Sequence, residues 1–420
     1  MLVSVSSNFA RRVLALLTVF AAAFVAAIAL TTSVPRDFAF VSGGDRLDIF
    51  FDSAASAATL GSIVAVVAAL SLTRTRWALV AMGCGILLLG VMAVLTVSWV
   101  LHPRAFAAGL ILGGAAALTS SDGRRTAQCS LISGVLSGAM LADLIVSGPI
   151  RYRDYLASTA PQSYFWIAVG VLAVLLVASV GVSAFGQVRM ASNRLRMLLV
   201  GIVIPLVGLV LYWSFDRALS SLGSGGVMQN RWVIGIFVIP LLVGAALALP
   251  AATGSVLLAA LAFISAAGAG TFGWSSAIMF VALVLVGFGI GLWRRMPLAA
   301  FGILAVVAAT GIFTAPPLDV ITTVATAVVL PVAVGVAFAS LLPTEAPVAA
   351  MAATTPIVVT VPIVVEFGWT AYTPLTSIEP SYSPSTWVWT STGVSVLSVV
   401  AAVVGLILLR RRELGVLSSE

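Results

Sequence analysis

The sequence predicts an all-α polytopic membrane protein with about fourteen transmembrane helices, and three observations carry that prediction. Of 420 residues, 61% are hydrophobic and only 8% charged, with a mean hydropathy of +1.17, whereas soluble domains carry about 25% charged residues. Apolar runs near the roughly 20 residues needed to cross a bilayer recur with short polar breaks from residue 13 to residue 409. Between those runs, arginines fall in clusters that alternate in density from one break to the next.

The first span, 13–32, follows Arg11-Arg12. Its apolar length exceeds the roughly 7–15 residues of a secretory signal, so it reads as an uncleaved first span. A segment holding Asp37, Asp45, Asp48 and Asp52 leads to the second span, 54–72, and Arg74 and Arg76 mark the turn into the third, 77–101. His102 and Arg104 precede the fourth, 105–119, and Ser121-Asp-Gly-Arg-Arg125 the fifth, 128–148. Arg151 and Arg153 separate it from the sixth, 164–186; Arg189, Arg194 and Arg196 precede the seventh, 197–214. Arg217 and Arg231 flank the break before the eighth, 232–250, which Pro250 and Ala251-Ala252-Thr253-Gly254 part from the ninth, 253–271, without a charge. The tenth, 274–293, ends at Arg294-Arg295, and the eleventh, twelfth and thirteenth follow at 297–314, 320–342 and 347–365. The fourteenth, 388–409, closes on Arg410-Arg411-Arg412. Pro356 and Pro362 leave a re-entrant thirteenth segment open, with a count of twelve or thirteen.

All 21 basic side chains are arginine. With the N-terminus inside, fourteen arginines lie in cytoplasmic segments, while Arg36, Arg46, Arg104, Arg151, Arg153, Arg217 and Arg231 lie outside. That bias places both termini in the cytoplasm and makes the bacterial inner membrane the expected location. Without lysine the chain has neither a P-loop lysine nor a Schiff-base amine, which excludes an ATP-driven pump powered by this chain alone. Cys84 and Cys129 fall in or beside spans near the cytoplasmic side and read as buried thiols. No cofactor, metal or nucleic-acid partner is expected; His102 is the single histidine, so a site of several His ligands is not available.

Arg74-Thr-Arg76 and Arg294-Arg295 each enter a helix, and in both a glycine, Gly83 or Gly302, follows seven residues after the second arginine. Repeated halves of this kind are common in secondary transporters, although basic residues before any cytoplasmic helix start read the same way. The first 190 residues also carry a set of family-like features. Ala58 to Arg76 followed by Trp77-Ala-Leu-Val-Ala-Met-Gly83 looks like the second helix, basic turn and third helix of the major facilitator superfamily. Pro35, Ser121-Asp-Gly-Arg-Arg125 and Tyr164-Phe-Trp-Ile167 resemble its first-helix end, its turn after helix four and its entry to helix six. The long segment Glu366–Trp387 suits the 14-helix drug/proton antiporter branch. The motifs are degenerate: Ala69 to Leu72 stand where the family has a glycine and an aspartate, the first span has no acid, and Ala139 stands for a proline.

The resemblance implies two six-helix bundles plus two central helices, with segments 1–190, 191–252 and 253–420. It also implies a transporter that works by rocking of the bundles. Asp143, inside the otherwise apolar fifth span, is the leading candidate for proton coupling or substrate contact, since intramembrane acids usually face a cavity, a partner or a substrate path. Snorkelling, or pairing with Arg151 or Arg153, is the plain alternative. Glu366 would be its counterpart in the thirteenth span, or a boundary charge. Arg104 lies near the family's functional arginine; a headgroup anchor beside His102 is the simpler role. Gly134 and Gly138 share one helix face and read as packing, and Trp369, Tyr372, Tyr382, Trp387 and Trp389 as an aromatic belt.

Three functions remain open on the sequence. The first is a facilitator-type secondary transporter of a hydrophobic or amphipathic solute, with membrane lipids and protons as the other partners and proton-coupled export as its specific form. The second is a non-transporting accessory or scaffold protein, and the third a lipid-linked-sugar glycosyltransferase using Asp45 or Asp48.

Overall fold

The computed structural model describes residues 2–31, 54–94, 101–120, 124–146, 163–220, 236–267, 274–313, 317–368 and 386–417. Among them are fourteen helices: α1 (Leu2–Thr31), α2 (Ala54–Ser71), α3 (Thr75–Val94), α4 (Leu101–Leu118), α5 (Arg124–Val146), α6 (Ser163–Gly181), α7 (Arg194–Ser220), α8 (Val238–Ala248), α9 (Ala251–Ala267), α10 (Trp274–Trp293), α11 (Pro297–Ala309), α12 (Asp319–Leu341), α13 (Ala346–Gly368) and α14 (Thr386–Leu417). Each coincides with an expected span, and α13 runs unbroken through Pro356 and Pro362. The protein is an all-α polytopic membrane protein. Seven helices are long and apolar enough over their described residues to cross a membrane. Their outward faces are stripes of large apolar side chains, such as Ile167, Val171, Val174 and Val177 on α6, of which Val177 is 72% exposed. Water does not support contiguous apolar surface of that extent, and lipid does.

Several helix ends depart from the expected ones: α1 begins at Leu2 rather than 13, α7 runs to Ser220 rather than 214 and α14 to Leu417 rather than 409, as these helices continue through charged flanks beyond the apolar run. The sixth span stops at Gly181 rather than 186: Ser183 takes φ 47°, and the Ala184 and Ser183 amides donate to Ser179 O and Val180 O at 3.0 and 3.1 Å. This is a Schellman closure formed without a glycine at the left-handed position. The α4 helix begins at Leu101, so His102 and Arg104 are helical rather than part of the preceding segment.

The chain forms two compact units, Met1–Pro205 with Pro343–Val358, and Leu206–Leu342 with Val359–Glu420. In the first, α4 is central: α1, α2 and α3 all pack on it, and α1 also packs on α5 and α6. In the second, α12 is the central helix, contacted by α9, α10 and α11, while α14 packs on α9 and α11. The pairs α2·α4, α3·α4, α1·α4 and α1·α6 thus recur as α10·α12, α11·α12, α9·α12 and α9·α14.

The recurrence reaches single residues. A Cβ on Gly109 of α4 would lie 2.5 Å from Gly61 O of α2, and one on Gly335 of α12 would lie 2.9 Å from Gly287 C of α10. Gly61 and Gly109 are 48 residues apart, as are Gly287 and Gly335, so a single offset of 226 relates the pairs. The same offset carries the Ala65–Gly113 contact onto Gly291–Ala339, with the glycine exchanged between helices. Within lipid, close backbone approach through small residues is a main source of helix association, and here it fixes the same helix pair twice. The basic turns Arg74–Arg76 and Arg294–Arg295 join corresponding helices, α2 to α3 and α10 to α11. Between the matching sets lie α7 and α8. Pro250 O accepts the Thr253 Oγ1 hydrogen bond at 2.7 Å, and Gly254 lies against Ala246, which closes the uncharged turn from α8 into α9.

Candidate functional site

The polar groups of the first unit form three clusters, and each is set by helices that the small residues bring together. At the end where α2, α4 and α6 begin, Ser56 Oγ and His102 Nε2 lie 3.1 Å apart. His102 is therefore half-buried and partnered, not the exposed loop histidine that a lone histidine beside Arg104 suggests. Two residues further along α4, Arg104 Cζ sits 4.9 Å from the ring centroid of Phe165, a fully buried residue of α6. Its Nε and Nη2 atoms are buried and, among the described residues, have no hydrogen-bond partner. Among the described side chains the carboxylates are Asp319 and Glu345, and neither is at this end of this unit. A guanidinium stacked on an aromatic face gains cation–π attraction, but its in-plane donors still need an acceptor.

The second cluster lies midway, where α2, α7 and α13 meet. Ser62 Oγ donates to Thr354 Oγ1 at 2.7 Å, and Thr354 and Thr355 also bond back to carbonyls of their own helix. A narrow cleft with no room for a water molecule runs between Ser62, Gly201, Pro205, Met351 and Thr355. Hydroxyls with internal acceptors are what an apolar interior tolerates. The seam is polar but closed.

The third cluster is at the opposite end. Arg124 donates from Nε to Thr344 O at 2.8 Å and through Nη2 to the same oxygen, and Nη2 lies 3.5 Å from Glu345 Oε1. Buried Gln128 donates to Thr344 O at 2.6 Å and accepts from the Thr344 amide at 2.7 Å. The start of α5 thereby grips the turn Leu342–Glu345 through both backbone groups of one residue. Beside it, Thr75 Oγ1 donates to Gly186 O at 2.6 Å and the Arg189 amide to Ser120 Oγ at 3.0 Å, so the segment after α6 crosses this end from α3 to α4.

The expected site residues separate accordingly. Arg104 is in the first cluster. Arg74 and Arg76 are exposed, with Arg76 Cζ 5.8 Å from the Trp77 ring centroid. Gly134 and Gly138 face α1, where an added Cβ would meet Phe20 O and Phe24 O at 2.5 Å each. Asp143 and Glu366 belong to α5 and α13, but their side chains lie outside the described residues. So do Pro35, Asp37, Asp45, Asp48, Asp52, Asp122, Trp369, Tyr372 and Tyr382, while Trp389 is exposed. Both cysteines are free. Cys129 is buried, whereas Cys84 is exposed on the outward face of α3, contrary to the expectation of two buried thiols. Lipid covers that face, so a thiol needs no internal burial there. Sequence reasoning missed Gln128, Thr344, Ser62 and Thr354; a glutamine four residues into an otherwise apolar span was the one available signal.

No protein-family model matches this sequence, and no curated protein matches it significantly. Among solved structures, the chain is similar to an auto-inhibited POT family peptide transporter at 13% identity. The match covers 95% of this chain and 97% of that one, with a TM-score of 0.44.

Proposed function

We propose that this chain is a facilitator-type secondary transporter in the bacterial inner membrane, carrying a hydrophobic or amphipathic solute. The observation that carries the reading is the internal repeat: the α2·α4 and α10·α12 pairs share their packing and a residue offset of 226. Transporters use such repeats because two related bundles offer two similar conformations around one site. Among the described residues the interior is mostly apolar, its buried polar side chains being hydroxyls and Gln128 together with the buried donors of Arg104, which suits an amphipathic solute better than a sugar phosphate. Asp143 on α5 is the proposed coupling residue, since an acid inside an apolar span usually faces a cavity, a partner or a substrate path.

Proton flux in proteoliposomes tests this. Solute-dependent acidification or alkalinisation by wild type, lost in Asp143→Asn, is the expected result across a panel of lipophilic ions and lipids. Identical traces from wild type, variant and empty vesicles would sink coupling and favour the accessory-protein reading.

A further inference from the structure

The Nε and Nη2 donors of Arg104 are buried and, among the described residues, have no acceptor. In a guanidinium, Nε–H and the Nη2–H on the same side point in parallel, and this edge is the one that takes a carboxylate or phosphate with two hydrogen bonds. At Arg124 this same edge is occupied by the Thr344 carbonyl. At Arg104 both atoms are buried and, among the described residues, neither has an acceptor. The other face of the guanidinium's surroundings is fixed by Phe165, which Trp166 contacts edge-on at 5.1 Å between centroids.

The internal repeat shows that the fold does not require a charge there. The offset of 226 carries Arg104 onto Leu330 of α12, which is 1% exposed and packed in the core of its own unit. A position that accepts leucine in one repeat and carries, among the described residues, an unpartnered arginine in the other is under some demand besides packing. Headgroup anchoring leaves this edge unexplained, because Nε and Nη2 are both buried.

We infer that Arg104 is the oxyanion-binding residue of the transport site. It takes the carboxylate, or another planar two-oxygen anion, of an amphipathic solute whose apolar part lies against Phe165. The inference rests on the transporter reading and narrows its solute from amphipathic to anionic. Arginine supplies a bidentate pair of charge-assisted bonds in a low-dielectric setting, while the ring holds the guanidinium plane so that little ordering remains to be done on binding. A carboxylate of the chain itself, such as that of Asp143 on α5, is the rival occupant, and the test separates the two.

The probe is 2-naphthoate against its uncharged counterpart 2-naphthamide. Binding is measured by equilibrium dialysis on the purified full chain in a neutral detergent, for wild type, R104Q, R104K and D143N. The expected result is at least a tenfold preference for the naphthoate in wild type. R104Q should abolish that preference, and R104K, with a point charge and no fork, should retain a fraction of it. An unchanged thermal unfolding transition in detergent shows that R104Q is folded; if R104Q does not fold, R104K carries the comparison, and its full retention of the preference would overturn the fork. Equal binding of the two probes by wild type overturns the inference. So does a D143N protein that gains naphthoate affinity tenfold or more, since that would mean Asp143 fills the fork at rest. Naphthoate uptake into proteoliposomes then separates the two readings: Arg104-dependent binding without uptake refutes transport and leaves the anion site standing, and uptake unaffected by R104Q refutes the site alone.

Discussion

At the residue scale, the glycines divide into those the packing requires and those it does not. Gly109 meets Gly61 O and Val64, whereas Gly83 has nothing within 4 Å of its added Cβ. Gly109→Ala must push backbone apart and should lose about 1–3 kcal/mol. Gly83→Ala, in open space on a helix, should be neutral or gain up to about 1 kcal/mol. Thermal unfolding in detergent reads both, and a Gly109→Ala protein as stable as wild type would disprove the close α2·α4 contact. Gln128 is a second separable case. Gln128→Leu leaves the buried Thr344 amide without its partner, at a cost of about 1–3 kcal/mol, while Arg124 still donates to the Thr344 carbonyl. Hydrogen exchange at the Thr344 amide should accelerate at least tenfold in that variant, and unchanged protection would mean the turn is held without α5.

At the element scale, α12 is the least regular helix. Its first part, Asp319–Val324, passes through a π turn, Ala325–Val329, before Leu330–Leu341 resumes the α pattern. Pro331 explains this: its ring clashes with the carbonyl four residues back and it donates no amide hydrogen, and one wider turn relieves both. The widened turn borders an open apolar groove of about 400 Å³ lined by Val320, Ile321, Val324, Ala325 and Val329. Pro331→Ala should let Ala325–Val329 tighten, so that its amides exchange more slowly; faster exchange there would mean that the π turn has another cause. On α3, Cys84 faces outward and Cys129 on α5 does not, so a lipophilic maleimide should label the folded protein at Cys84 and reach Cys129 only after unfolding.

At the scale of the whole molecule, the arginine distribution makes a prediction that packing does not. With both termini cytoplasmic, a cysteine placed at Ser224 should react with an impermeant maleimide on intact spheroplasts, and one placed at Ser418 should react only after lysis. The reverse pattern would invert the topology and every assignment of inner and outer segments. The proton-flux comparison with Asp143→Asn belongs to this scale as well, because coupling is a property of both units working together.

The sequence by itself determined that this is an all-α polytopic membrane protein of about fourteen helices and the place of each span along the chain. Length and apolarity of a run decide whether it spans lipid, and those are local quantities. Helix ends are less local: α1 begins at Leu2 rather than 13, α14 runs to Leu417 rather than 409, and α6 stops at Gly181 on turn geometry that no charge announces. The basic turns hinted at a repeat, but the contacts of Gly61 with Gly109 and of Gly287 with Gly335 were needed to give it a register. Only tertiary structure decided which polar residues find partners. Arg104 and Arg124 are both arginines near helix starts, and nothing local distinguishes them. A carbonyl from the far-off turn at Thr344 fills the fork of Arg124, while no described acceptor reaches that of Arg104. Hydrogen-bond satisfaction in lipid is a property of neighbouring helices, and the chain acquires neighbours only by folding.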